Sequence, residues 1–251
     1  MHRGISLAVP GIAAATAGGL FVEVRRAANA PLPHFDDLDA SGRYGNPTGP
    51  RSCIRVLGDS SLTGPGLTDG ARIWIARLAD RLAHDIELVS HARGGSRVGD
   101  VLTHQVPVAL TGTTDLFVIA VGANDAIHAT PARTFARRMR SVVEQLSAVA
   151  PVVTLGVGDL SMIPRVPRAL RPLLARRSLL IDRLHRAAVA KQPEVVRVPV
   201  RQLSDPYFRA AGRSIFAEDL FHPNEEGHAL WSELFTPFVR SNLRSPVPAH
   251  D

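Results

Sequence analysis

Cysteine is almost absent: Cys53 is the only one in 251 residues. No intrachain disulfide can form, and no cysteine-based metal site either. At the head of an apolar run, Cys53 reads as a small buried hydrophobe. Lysine is equally scarce, with Lys191 alone among 29 basic residues. The formal charge is +6 and the pI about 10.7. A cation supply that is nearly all arginine points to compositional bias more than to a nucleic-acid surface. No zinc finger, RNA-binding signature or basic-aromatic repeat accompanies it, so nucleic acid is not an expected partner. The arginines are densest from Arg165 to Arg186. That stretch reads as a solvated helix face, with acidic lipid headgroups as the functional alternative. Aromatic residues make up only 5%, so Val, Leu, Ile and Ala must fill the core. The 45% hydrophobic content suits one sizeable domain, and no internal repeat or second core is visible.

Charge is also missing from Ile5 to Val22, a run of mostly Ala, Gly, Val, Leu and Ile. It is near the lower length limit for a membrane span, and its Pro10 and glycines are tolerated in lipid. Three readings stay open. They are an uncleaved anchor, a signal peptide cut after Ala28-Asn29-Ala30, and a helix packed on the domain. The Arg25-Arg26 pair directly after the run favours the anchor, because it resists translocation of the downstream chain. The organisation expected is a hydrophobic segment at 1–30, a Pro- and Gly-rich linker at 31–50, a domain at 51–245 and a tail at 246–251. The protein is then anchored to a membrane or secreted, with the side of the membrane open.

Along the domain, apolar runs alternate with helical periodicity. Strands are predicted at 53–57, 86–89, 115–121, 152–157 and 195–200. Helices are predicted at 70–84, 98–110 with an interruption at Pro107, 131–150, 168–190 and 224–243 with a kink at Pro237. Strand-helix alternation with strands apolar on both faces implies a parallel sheet covered on both sides. The expected fold is a three-layer α/β/α sandwich around a central, mostly parallel five-stranded sheet.

Four segments stand out in this frame. Gly58-Asp59-Ser60 follows the first strand, and Gly94-Gly95-Ser96 lies past the second. Gly122-Ala123-Asn124-Asp125 follows the third. Asp219-Leu220-Phe221-His222-Pro223 precedes the last helix. In an open parallel sheet, ligands bind beyond the carboxyl ends of the strands, where the first three segments all fall. The loop before the last helix can return to that edge. Together they supply a hydroxyl, an imidazole, a carboxylate and amide donors, the groups needed for acyl transfer through serine.

The same four segments resemble the blocks of the SGNH hydrolases, also called the GDSL esterase and lipase superfamily. The first block stands here as Gly58-Asp59-Ser60-Ser61-Leu62-Thr63-Gly64, with Ser61 in place of the name-giving leucine. The second is a glycine best matched by Gly95, the third Gly122-Ala123-Asn124-Asp125, and the last Asp219 to Pro223. The resemblance implies a flavodoxin-like SGNH hydrolase fold. It implies Ser60 as nucleophile, His222 as general base and Asp219 as the residue orienting the imidazole. The Ser60 and Gly95 backbone N–H groups and the Asn124 amide would form the oxyanion hole. Ser61 is chemically equal to Ser60, and the choice between them rests on the family register. Gly-x-Ser-x-Gly, the other common setting of a nucleophilic serine, does not occur.

The expected function is therefore a serine esterase or lipase acting through an acyl-enzyme, with no metal and no organic cofactor. Its partners would be a small-molecule ester, with lipid esters, thioesters and acetylated sugars all open, and a membrane through the N-terminal segment. An acyltransferase with the same triad and a non-catalytic binding protein on the same fold are the alternatives. The oligomeric state stays open. Asp125 reads as a cap or turn residue, and His228 as a surface histidine on the last helix. Residues 158–172 are placed to cover the site.

Overall fold

The computed structural model describes residues 33–243. The N-terminal apolar run and the candidate cleavage site lie outside the described residues. So does the expected tail. Among the described residues, no helix is long and apolar enough to cross a membrane.

Six strands form one sheet: β1 (Gly42–Gly45), β2 (Arg51–Gly58), β3 (Asp85–Ser90), β4 (Leu116–Ala120), β5 (Val152–Leu155) and β6 (Val195–Val198), in the order β1-β3-β2-β4-β5-β6. The five strands expected from sequence are β2 to β6, and all pair in parallel. The sixth, β1, is an antiparallel edge strand on β3. It lies inside the segment expected to be a linker. Gly42 and Gly45 give that stretch little strand propensity. Its order comes from pairing with β3 and from burial of neighbouring Ala40, which is fully enclosed. The Ser41 hydroxyl also accepts a bond from Ser90 N at 2.9 Å.

The period of two along each strand sorts the core into two layers. Ile54, Val56, Ile86, Leu116, Val118 and Val153 face one side. They pack there on helices α1 (Trp74–Asp80) and α9 (Glu225–Asn242) through Trp74, Ile75, Leu78, Phe235 and Val239. Trp74 and Phe235 meet edge to face at 5.4 Å. Leu57, Phe117, Ile119 and Val152 face the other side, against Phe135, Met139, Val142 and Ile181. These come from α5 (Ala132–Ser147) and α6 (Arg171–Val189). Cys53 is half-buried and not buried as expected, because it shares its face of β2 with exposed Arg51 and half-buried Arg55.

The helix expected over 98–110 is built in three pieces. α2 (Val98–Asp100) runs into a π turn, Val101–Gln105, and then α3 (Val106–Ala109). The turn is closed by Val106 N donating to Val101 O. Pro107 has no N–H to give to the preceding turn, and the widened backbone accommodates it. Three short helices carried no sequence signal: α4 (Ala123–Ile127), α7 (Val200–Leu203) and α8 (Asp205–Ala211). α9 runs as one helix with Pro237 inside it.

Candidate active site

β2 delivers the nucleophile candidate. Gly58 ends the strand so close to Ala120 O that no Cβ would fit, which is why the turn begins on glycine. Asp59 then caps a short 3-10 turn, Ser60–Leu62, by accepting from Ser61 N at 3.0 Å. Ser60 is thereby left at the head of the turn. Ser61 is tied into it, with its carbonyl accepting from Trp74 Nε1 at 2.8 Å.

The loop before α9 supplies the imidazole. Leu220 has φ of 58°, a left-handed conformation uncommon for a side chain of its size. The reversal turns two N–H groups back onto Asp219 Oδ1, from Phe221 at 2.9 Å and His222 at 3.0 Å. The other Asp219 oxygen lies 2.6 Å from His222 Nδ1. His222 Nε2 in turn lies 3.1 Å from Ser60 Oγ. Burial alone would raise the Asp219 carboxyl. The hydrogen bonds from the His222 ring and the two backbone amides outweigh it and hold the group below the usual carboxylate range. A carboxylate that stays ionised and grips Nδ1 presents Nε2 to Ser60 as the free nitrogen.

Asn124 sits in the first turn of α4 and lines the same cavity as Ser60 and His222. Its Nδ2 donates to Ser96 O at 3.2 Å. A side-chain amide has two N–H bonds, so one remains for a substrate. Gly95 is not in the cavity wall; it lies on the loop beside it, with φ of 75° and open space where a Cβ would project. The structure therefore brings Ser60, His222 and Asn124 around one cavity, with Asp219 behind His222 and Gly95 on the adjoining loop.

The cavity has a volume of about 150 Å³. Ile163, Phe208, Phe216, Trp231 and Phe235 make its far wall apolar. Residues 158–172, expected to cover the site, contribute Gly158, Asp159, Leu160, Met162 and Ile163. Trp231 is steadied by donating Nε1 to Ser204 Oγ at 2.7 Å. Asp205 also borders the cavity, and burial pushes its carboxyl up to about 6.

One expectation changes. His228 is fully buried, not on the surface. Its Nδ1 accepts from Trp74 N at 3.2 Å, and its ring meets Trp231 edge-on at 5.8 Å. Burial, with Arg77 and His222 adding to it, lowers its pKa to about 3, so it stays neutral. It does not line the cavity. Asp125 is fully buried, and its Oδ2 accepts from Val98 N at 2.9 Å at the start of α2. Among the described residues, no group of three or more His, Cys, Asp or Glu is arranged to hold a metal ion.

Two residues that sequence reasoning did not find tie the motif loops together. Asp37, from the expected linker, accepts from Thr63 Oγ1 and from Gly94 N, both at 2.7 Å. Gln105, at the end of the π turn, is bonded to Gly58 and Ser96. Neither carries a periodic or motif signal, because its partners lie in other elements of the fold.

Residues 56–230 match the model of the GDSL-like lipase/acylhydrolase family. A GDSL-like esterase of Mycobacterium tuberculosis is 31% identical over 206 residues, covering 79% of this chain and 65% of that protein. The match thus spans just under two thirds of the curated relative. Among solved structures, a lipolytic G-D-S-L family protein from Veillonella parvula superposes with a TM-score of 0.63. It is 16% identical and the match covers 75% of this chain and 98% of that one. A mutant of an acetylxylan esterase from Geobacillus stearothermophilus gives 0.61 at 14% identity, with coverages of 75% and 94%. At these identities the structures speak for the fold alone.

Proposed function

Because this chain belongs to the GDSL-like lipase/acylhydrolase family, we propose that it is a serine esterase that cleaves carboxylic esters through an acyl-enzyme. The observation that carries the reading is the unbroken line from Asp219 through His222 to Ser60, at 2.6 and 3.1 Å. Ser60 Oγ attacks the ester carbonyl carbon while His222 Nε2 takes its proton. The carbonyl π electrons move onto oxygen, and that oxyanion is received by the Ser60 and Gly95 N–H groups and the free Asn124 N–H. When the tetrahedral centre collapses, the alcohol leaves with the proton from His222. Water, deprotonated by His222, then attacks the acyl-serine, and a second collapse releases the acid and restores Ser60. Asp219 stabilises the imidazolium in both steps.

The cavity supports an apolar acyl group. A hydrocarbon-lined space of about 150 Å³ holds a benzene-sized molecule, so an acyl chain of about four to six carbons fits. An acetyl group would leave the aromatic wall largely unfilled, and a long chain would extend beyond the cavity. The apolar stretch from Ile5 to Val22 supports attachment to a membrane. Salt-resistant sedimentation of the full chain with membranes tests that part.

The reading is tested by labelling the full chain with a fluorophosphonate, mapping the adduct, and measuring kcat/KM over p-nitrophenyl esters of increasing chain length. An adduct on Ser60 and a maximum at about four to six carbons are expected. No adduct and no turnover would leave a binding protein on this fold. Faster acyl release to an added alcohol than to water would make it an acyltransferase.

A further inference from the structure

Gln105 is 2% exposed, and all three of its side-chain hydrogen bonds go to the two loops that flank Ser60 and Asn124. Its Oε1 accepts from Gly58 N at 2.7 Å, and its Nε2 donates to Gly58 O at 2.9 Å. Both backbone groups of Gly58 face the side of β2 that β3 covers lower down. The β2–β3 register ends at Val56 opposite Ser90, and beyond it only Arg93 N still reaches Gly58 O, at 3.1 Å. The Gln105 amide completes the pairing that the strand neighbour leaves open. The same Nε2 lies 3.1 Å from Ser96 Oγ. Ser96 O is the acceptor that orients the Asn124 amide.

One primary amide therefore joins the strand end carrying Asp59-Ser60 to the loop that aims Asn124. The π turn is what brings it there, since an extra residue in the turn shifts the side chain relative to a regular helix. Asp37 makes a second, outer link between the same loops, from Thr63 to Gly94.

We propose that Gln105 is a positioning residue that sets the separation between the Ser60 N–H and the Asn124 amide, so that both donors meet one developing oxyanion. The inference rests on the roles given to Ser60 and Asn124 above. It draws on the geometric sensitivity of such sites, in which misplacement by about 1 Å costs on the order of 100-fold. Gln105 touches no substrate; its effect passes entirely through the two loops.

Gln105→Glu is the sharpest test. It keeps the shape and one acceptor and removes the Nε2 donor. With a p-nitrophenyl butyrate assay, kcat should fall about 10- to 100-fold with KM within about twofold, because the lost alignment matters in the transition state. The variant is then combined with Asn124→Ala. On that background Gln105→Glu should cost less than about threefold more, since the donor it positions is gone. A residue that merely holds the fold together would cost the same on both backgrounds. Wild-type kcat in a folded Gln105→Glu protein, or equal losses on both backgrounds, overturns the proposal. If Gln105→Glu does not fold, Ser96→Ala is put through the same cycle. A several-fold fall that disappears on Asn124→Ala supports the proposal, and no fall or an additive one overturns it. Ser60→Ala is measured alongside. Activity retained in Ser60→Ala sinks the serine mechanism and this inference with it; a dead Ser60→Ala beside an unaffected Gln105→Glu sinks the inference alone.

Discussion

His222 Nε2 lies 3.1 Å from Ser60 Oγ although 162 residues separate them, while Ser61, next door, gives its N–H to Asp59. Ser60→Ala should therefore lower kcat by about 10⁴-fold or more. Ser61→Ala should keep most activity, because the backbone bonds from Ser61 N–H to Asp59 and from Trp74 to the Ser61 carbonyl survive the change. A fluorophosphonate adduct mapped to Ser61 would show the register to be off by one.

Asn124→Ala should lower kcat by about 10²- to 10³-fold, the usual cost of one oxyanion donor. KM should move little, because that bond forms fully only in the transition state. A raised KM at unchanged kcat would make Asn124 a ground-state binding residue.

Asp59 gives a pH-dependent stability prediction. Burial raises its carboxyl from 3.8 to about 6 despite the bond from Ser61 N. The folded protein then holds a proton that the unfolded chain has lost between those values. Stability from this group falls as pH rises from about 4 to about 6, by roughly 3 kcal/mol for a shift of about two units. Asp59→Asn mimics the protonated group, so it should gain stability relative to wild type over the same window. Urea unfolding of both proteins at about pH 4 and about pH 7 measures the difference; a constant gap refutes the prediction.

His228 works in the opposite sense. Its folded pKa of about 3 lies below the ordinary histidine value of 6.5, so the unfolded chain takes up the proton first. Stability from keeping it neutral is present above 6.5 and is lost as pH falls toward 3. At neutral pH, His228→Ala should cost about 2–4 kcal/mol, as for other large-to-small changes in a packed core. The folded fraction should keep kcat within about threefold, because the ring faces Trp74 and Trp231 and not the cavity. Denaturant midpoints and kcat on the same preparation separate the two effects. A kcat loss matching that of His222→Ala would move the general base to His228.

The segment before β2 should matter to the site. Deleting residues 1–50 removes β1 and Asp37, and with them the bonds to Thr63 and Gly94. That protein should be less stable and less active than one lacking only residues 1–32. Equal melting temperatures and equal kcat would show the outer link to be dispensable.

Much of this arrangement is legible in the chain. Leu116 to Ala120 reads as a buried strand because every residue is apolar, and the parallel sheet follows from such runs alternating with helical periodicity. Since ligands gather at the carboxyl edge of such a sheet, Ser60, Asn124 and the Asp219–His222 pair can be assigned to one place before any distance is known. Even the burial of His228 has a signal in the helical spacing: with Ser232, Phe235 and Val239 it shares the stripe of α9 that faces the core. Other features have none. β1 is short and glycine-flanked, and only an unpaired edge on β3 makes it a strand. Gln105 and Asp37 are polar residues whose partners lie 47, 26 and 57 positions away. Periodicity records which face of an element is apolar, so it reveals what is buried together. It does not record direction at a hydrogen-bonding group, and the joints between the motif loops were decided only when the chain closed around them.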